Sequence, residues 1–271
     1  MPDMPEVRGN MNLIFANDWA TAYCGDAWET IGQLSLPVNT VVITDPPYGI
    51  TNNKWDRPVD VSHLWDLLRQ FHTTIITASQ PFSSSLVYLN IVNFRHEWIW
   101  VKNRGSNFAN TVREPMKEHE HVLVFSSGKW TYNPQMQDRS RGGVDRARYN
   151  VARHTKSTNY GPFIGSEENT LSTQRVPSSV QYFNTEVGLH PTQKPIALMR
   201  YLIQTYTNAG DAILDPFMGS GTTLLAATQL QRRSIGIDNN PEYCAIAAER
   251  LAASQPDLLA PVMRGEKDGQ T

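Results

Sequence analysis

What most limits how this chain can fold is a repeated alternation of short apolar runs with helix-length segments. "TVVIT" from Thr40 is followed by a helical pattern from Ser62 to Phe71, and "TTIITA" from Thr73 by another from Pro81 to Asn90. The alternation returns near the other end. "KPIALMRYLIQTY" reads as a helix with Pro195 near its first turn, "AILD" from Ala212 as a strand and Gly221 to Leu230 as a helix; "SIGID" from Ser234 is a strand leading into a helix from Pro241 to Leu251. Such a pattern implies βαβ units and a mostly parallel α/β sheet. Between the two regions, "HEWIWVK" and "HEHVLVFSS" read as two more strands separated by a polar loop from Asn103 to Glu118. Trp98 and Trp100 share one strand face and belong to the core. The stretch from Trp130 to Leu189 breaks the pattern, being rich in Arg, Ser, Thr, Asn and Gly. A structureless loop of that size is unusual in a compact domain, so it is expected to be a recognition module or a mobile segment.

With 271 residues, 40% of them hydrophobic, the chain can bury a full core and suits one large domain with an insert. Its formal net charge of -2 points to no global nucleic-acid or membrane partner, so any such surface must be local. Cys24 and Cys244 are too few for a disulfide framework or a thiolate metal site and read as small packing residues. Neither a leader pattern nor a bilayer-length apolar segment is seen, and a soluble, cytoplasmic protein is expected.

Two strand ends carry chemistry. "LDPFMGSGTTLLAA" sets Asp215, Pro216, Phe217, Gly219 and Gly221 between a strand and a helix, where glycines let backbone approach a ligand. It lacks the Gly-Lys-Ser/Thr of a phosphate loop and the third glycine of the dinucleotide fingerprint. A glycine turn alone is compatible with a purely structural role. Asp238, about twenty residues on at the next strand end, is placed to accept hydrogen bonds from ribose hydroxyls and favours an adenosyl ligand. The other strand end is "TDPPYG", with Asp45, Pro46, Pro47 and Tyr48. As a bland turn it would need no further account. If the adenosyl ligand carries a reactive methyl, however, the Asp45 carboxylate and the Pro46 carbonyl can take both hydrogens of a nucleobase amine and aim its nitrogen. Pro47 keeps Pro46 extended, and the Tyr48 ring can stack on a base drawn out of the duplex.

Together these motifs resemble the β-type amino-methylating DNA methyltransferases, which act on adenine N6 or cytosine N4 and in which the acceptor motif precedes the cofactor motif. "GDAW" at Gly25 and "HPTQKP" at His190 resemble further family elements, as do "TASQPFSS" at Thr77 and the stretch ending in "TYNPQ". The resemblance implies a Rossmann-like, S-adenosylmethionine-dependent sheet in circularly permuted order. It divides into an acceptor half over 1–136, a target-recognition insert over 137–189, a cofactor half over 190–254 and a polar tail over 255–271. It also implies that Asp26 lies near the cofactor adenine and that Thr192 and Lys194 help hold the methionine end. Arg139, Arg141, Arg146, Arg148, Arg153 and Lys156 make the insert locally basic, as contact with double-stranded DNA phosphates requires. A solvated loop is the plain alternative for that patch. Asp45 in the first motif position favours adenine, since the family more often shows serine there for cytosine N4; a DNA-binding module without catalysis is the other class weighed. Dimers are common in the family, although no helix stands out here as an interface, and a restriction endonuclease partner is not identifiable. His119, Glu120 and His121 lie together without a third ligand at metal spacing, so strand packing is preferred and no metal is assigned. Lys102 and Glu118 are expected to pair, with no catalytic role for either.

Overall fold

A computed structural model describes residues 12–49, 59–139, 173–186, 188 and 193–254. The chain divides into two compact units, residues 1–133 with 179–271, and residues 134–178.

The larger unit is built on one sheet of nine strands among the described residues: β1 (Leu13–Ala16), β2 (Ala20–Cys24), β3 (Thr40–Thr44), β4 (Thr73–Ala78), β5 (Phe94–Ser106), β6 (Lys117–Ser126), β9 (Val180–Tyr182), β10 (Ala212–Asp215) and β11 (Arg233–Asp238). Their spatial order is β1-β2-β11-β10-β3-β4-β6-β5-β9. The five central strands from β2 to β4 are mutually parallel, and β6 joins β4 antiparallel. Every residue of β3 and β4 is buried, as expected of strands covered on both faces. This is the mostly parallel α/β sheet expected from the alternating pattern, in the Rossmann-like form that the family resemblance implies.

The helices are α1 (Ala27–Gln33), α2 (Val61–Leu68), α3 (Phe82–Leu89), α4 (Ile196–Tyr206), α5 (Thr222–Gln229) and α6 (Pro241–Ala253). Local chemistry starts several of them. Asp26, Asp60 and Asn240 accept backbone N–H bonds at the N-termini of α1, α2 and α6, satisfying donors that a first helical turn leaves free. No described helix is long and apolar enough to cross a membrane.

Before Thr40, three elements escape the apolar pattern: β1, β2 and α1. β5 and β6 also run further than expected, to Ser106 and from Lys117, so the expected loop over 103–118 shortens to 107–116. β9, inside the segment read as an insert, pairs with β5. Trp98 and Trp100 are buried as expected, the first donating to the Tyr206 hydroxyl at 2.5 Å and the second to the Phe183 carbonyl at 2.8 Å.

The smaller unit contains a short antiparallel pair, β7 (Gln137–Asp138) with β8 (Gln174–Arg175). Arg139 continues it, its Nε donating to the Gln174 carbonyl at 2.9 Å. The remaining basic residues of the expected patch, Arg141, Arg146, Arg148, Arg153 and Lys156, lie outside the described residues, as do Thr192 and the 255–271 tail.

Candidate active site

β3 and β10 are neighbours, with Leu214 opposite Val42, and the sheet continues from them in opposite directions, to β4 on one side and β11 on the other. A reversal of this kind leaves a crevice at the carboxyl ends of the two strands, where ligands of open α/β sheets bind. A cavity of about 740 Å³ opens there and brings together Asp26, Asp45, Tyr48, Lys194, Phe217 and Asp238, with Pro46, Pro47, Asp215, Pro216 and Gly219 along its wall. That volume falls in the range of small-molecule sites.

Asp45 leaves the end of β3 at the centre of a polar network. Its Oδ1 accepts from the Tyr48 hydroxyl at 2.5 Å and from the Thr77 hydroxyl of β4. Its Oδ2 faces Lys194 Nζ at 2.6 Å. Lys194, expected at the methionine end of the cofactor, is thus an ion-pair partner of Asp45. The same Nζ lies 3.4 Å from Glu120 Oε2 and 5.2 Å from the centre of the Tyr48 ring. Glu120 Oε1 in turn holds Lys102 Nζ at 2.6 Å.

Burial alone would lower the Lys194 pKa, but Asp45 and Glu120 outweigh it and hold the ammonium above its ordinary value. For Glu120, burial pulls upward while Lys194 and Lys102 overcome it, so the carboxyl sits below the usual glutamate range. Burial pushes the Tyr48 phenol well up, with Asp45 and Glu120 adding to the effect, and it remains a hydroxyl donor. Its ring stacks on Phe82 at 5.6 Å.

The expected pairing of Lys102 with Glu118 is corrected here: Lys102 binds Glu120. In the β5–β6 ladder Trp100 faces Glu120 and Val101 faces His119, which would set Lys102 against Glu118, but the register shifts after Val101. The displaced Lys102 reaches diagonally to the buried carboxylate. Such a bulge is not visible in the order of residues along either strand. His121 turns to Glu97, its Nδ1 2.9 Å from Oε2.

At the end of β10 the chemistry differs. Asp215 is buried, and its Oδ1 accepts from the Thr44 hydroxyl at 2.7 Å and the Phe217 N–H at 3.1 Å, tying the loop to β3. Burial raises its pKa to about 6 against the opposing pull of the Thr223 and Thr44 hydroxyls. The loop then turns through Gly219 and Gly221, both with positive φ, before α5 begins. Gly221 also packs on α6, where an added Cβ would meet Ala247 Cβ at 3.0 Å. Asp238, ending β11, accepts the Gly219 N–H at 2.9 Å on Oδ2 and the Asn240 N–H at 2.8 Å on Oδ1. Burial raises its pKa, opposed by those two N–H groups.

Asp26 follows Gly25, whose N–H bonds the Asp238 carbonyl at 2.9 Å, so β2 and β11 deliver the two acids to neighbouring positions. The Trp28 ring meets Phe217 edge-on at 6.0 Å. Carboxylates with lone pairs to accept from hydroxyls, a glycine turn and aromatic faces in one cavity form the acceptor and stacking set an adenosyl group needs. The residues present therefore fit S-adenosylmethionine.

The DNA methylase family model matches residues 39–249. The chain is 30% identical over 250 residues to the type II methyltransferase M.HpaI of Haemophilus parainfluenzae, covering 84% of this chain and 73% of that protein. It is 25% identical over 260 residues to the DNA adenine methyltransferase YhdJ of Escherichia coli K12, covering 88% and 84% of the two chains. Among solved structures it resembles the M1.HpyAVI complex with S-adenosylmethionine, with a TM-score of 0.56, 28% identity and 85% and 99% coverage. The fold also matches the PvuII cytosine-N4-specific DNA methyltransferase at a TM-score of 0.59, with 15% identity and 89% coverage of both chains.

Proposed function

Because this chain belongs to the DNA methylase family, a family of S-adenosylmethionine-dependent N6 or N4 methyltransferases, we propose that it methylates the N6 amine of adenine in double-stranded DNA. The observation that carries the reading is the position of Asp45, Pro46, Pro47 and Tyr48 at the carboxyl end of β3, across the crevice from the glycine loop of β10.

In this reading Asp238 takes the ribose hydroxyls, Asp26 lies by the adenine, Phe217 and Gly219 shape the cofactor bed, Gly221 supplies the turn behind it, Pro216 directs the loop, and Thr192 is assigned to the methionine end. When bound, S-adenosylmethionine supplies an electrophilic methyl group. The chain's own task is to present an amine whose lone pair is otherwise delocalised into the ring. Asp45 and the Pro46 carbonyl each accept one amine hydrogen, which orients the nitrogen and favours its nucleophilic form. The Tyr48 hydroxyl and Thr77 fix Asp45 from one side and Lys194 from the other, so the acceptor is set before the base arrives. Pro47 holds Pro46 extended, and the Tyr48 ring bears on the extruded base. Lys194 thereby becomes a positioning residue, braced by Glu120 and Lys102.

Adenine is favoured over cytosine by Asp45 in the first motif position and by likeness to the E. coli adenine methyltransferase. The basic residues from Arg139 to Lys156 are assigned to phosphate contact. Incubation with S-adenosylmethionine and unmethylated bacterial DNA, followed by nucleoside mass spectrometry, tests the reading. N6-methyladenine is expected from the unaltered chain and none from Asp45→Ala. N4-methylcytosine would overturn the choice of base, and no methylated nucleoside would overturn the activity.

A further inference from the structure

The β5–β6 pair runs on past its neighbour. β4 ends its pairing with Ala78 opposite His121, yet β6 begins at Lys117 and β5 continues to Ser106. At roughly 3.3 Å per residue, the four residues from Glu120 back to Lys117 carry the hairpin about 13 Å beyond that point. They project on the side where Asp45 lies, because β4 is parallel to β3. Arg104, Ser106 and Lys117 line the active-site cavity, so the tip over 107–116 stands at its rim.

The tip displays apolar surface. Phe108 is 77% exposed, Val112 90% and Met116 45%. Phe108 belongs to none of the buried clusters, yet the turn that carries it is well defined. Asn107 adopts the left-handed conformation at φ 69°, Asn110 donates from its backbone N–H to the Asn107 carbonyl at 3.0 Å and from Nδ2 to Asn107 Oδ1 at 2.7 Å, and Arg113 N–H bonds the Asn110 carbonyl at 2.9 Å. An aromatic ring held in water by an ordered turn contributes nothing to the core and suits a partner.

Charge identifies that partner. Arg104, Arg113 and Lys117 have no ion-pair partner among the described residues. Of the nearby acids, Glu120 is held by two lysines, while Glu114, which accepts from Asn107 Nδ2 at 2.6 Å, and Glu118 are exposed, so three cations face two carboxylates and the tip keeps a positive excess. A duplex offers phosphates to such cations and, once a base has left the stack, a gap walled by two apolar base faces.

Building on the methyltransferase reading, we propose that the 107–116 tip is a DNA contact in which Phe108 occupies the gap left by the extruded base while Arg104, Arg113 and Lys117 hold the flanking phosphates. A second copy of the chain is the competing occupant. The test compares methyl transfer to unmethylated bacterial duplex DNA by the full chain, Phe108→Ala and Phe108→Leu, alongside melting temperature, S-adenosylmethionine affinity and mass by light scattering. Loss of an apolar wedge from the gap, at energies comparable to those of a base–side-chain contact, translates into a kcat/KM loss of roughly tenfold to a hundredfold for Phe108→Ala, with melting temperature, cofactor affinity and mass unchanged and with Phe108→Leu, which keeps an apolar wedge, restoring part of the rate. Arg113→Ala should lower the salt slope of DNA affinity by about one. Activity of Phe108→Ala within twofold of the unaltered chain overturns the proposal, as does a change of mass, which would assign the tip to subunit contact. Lack of transfer by the unaltered chain would instead overturn the enzymatic reading, and the Arg113→Ala salt slope would then decide the DNA contact alone.

Discussion

The ends of β3 and β10 are neighbours in one sheet and hold their acids by opposite means. Asp45 and Glu120 are matched by Lys194 and Lys102, with hydroxyls completing the set. Asp215, one strand away, is buried against hydroxyls and an N–H, with no ion pair among the described residues. The first arrangement matches carboxylates at the cavity with cations; the second fixes a loop and carries the penalty of a buried carboxyl. Identical side chains at equivalent strand ends are thus assigned different work by what surrounds them.

Removing a cation tests the first arrangement hardest. Lys194→Ala leaves two largely buried carboxylates facing only Lys102, and urea unfolding at neutral pH should show a loss of about 3 kcal/mol. The pH dependence has a definite sign. Glu120 is depressed on folding, so its contribution is present above the ordinary glutamate pKa and is lost as pH falls through the lower folded value. Lys194 is raised, so its contribution is present below the ordinary lysine pKa and is lost as pH rises through the higher folded value. The stability difference between the unaltered chain and Glu120→Gln should therefore be level from about pH 6 to 9 and shrink below about pH 4. A difference that grows in acid would contradict the charge matching.

The second arrangement predicts the reverse. With Asp215 raised to about 6, the folded state binds the proton more readily, so this group stabilises the chain as pH falls from 7.5 to 5. Asp215→Asn should remove that gain, about 1.4 kcal/mol by linkage, as measured by denaturation at the two pH values. An unchanged pH response would show that Asp215 is not held in the way its surroundings imply. A smaller effect is expected at the loop itself. Gly221→Ala forces a side chain into φ 78° and against Ala247, and should lower stability by about 1 kcal/mol.

Much of this contrast could be read from the chain. Continuous apolar runs exposed β3, β4, β10 and β11, and their carboxyl ends carried the motifs, because a parallel sheet gathers such ends in one crevice. β1 and β2 were hidden for a physical reason: "LIFA" is half exposed at the sheet edge, and "ATAYC" buries small residues that leave no strong apolar signal. Glu120 was seen only as a strand residue between two histidines. Its role depends on the bulge that redirects Lys102 and on Lys194 arriving from far along the chain, and neither is a local property. The hairpin tip reads as part of a polar loop because polar and charged residues interrupt its few apolar ones without a strand or helix period, whereas the turn leaves Phe108 and Val112 exposed.

The most direct test of the assignment of the acceptor role to Asp45 and the cofactor-side role to the β10 end is single-turnover methyl transfer by Asp45→Asn, measured with S-adenosylmethionine affinity on the same protein. A fall in rate of about a hundredfold or more is predicted, with cofactor affinity within twofold of the unaltered chain. A rate that survives within a fewfold, or one that falls only in proportion to lost cofactor binding, would contradict it.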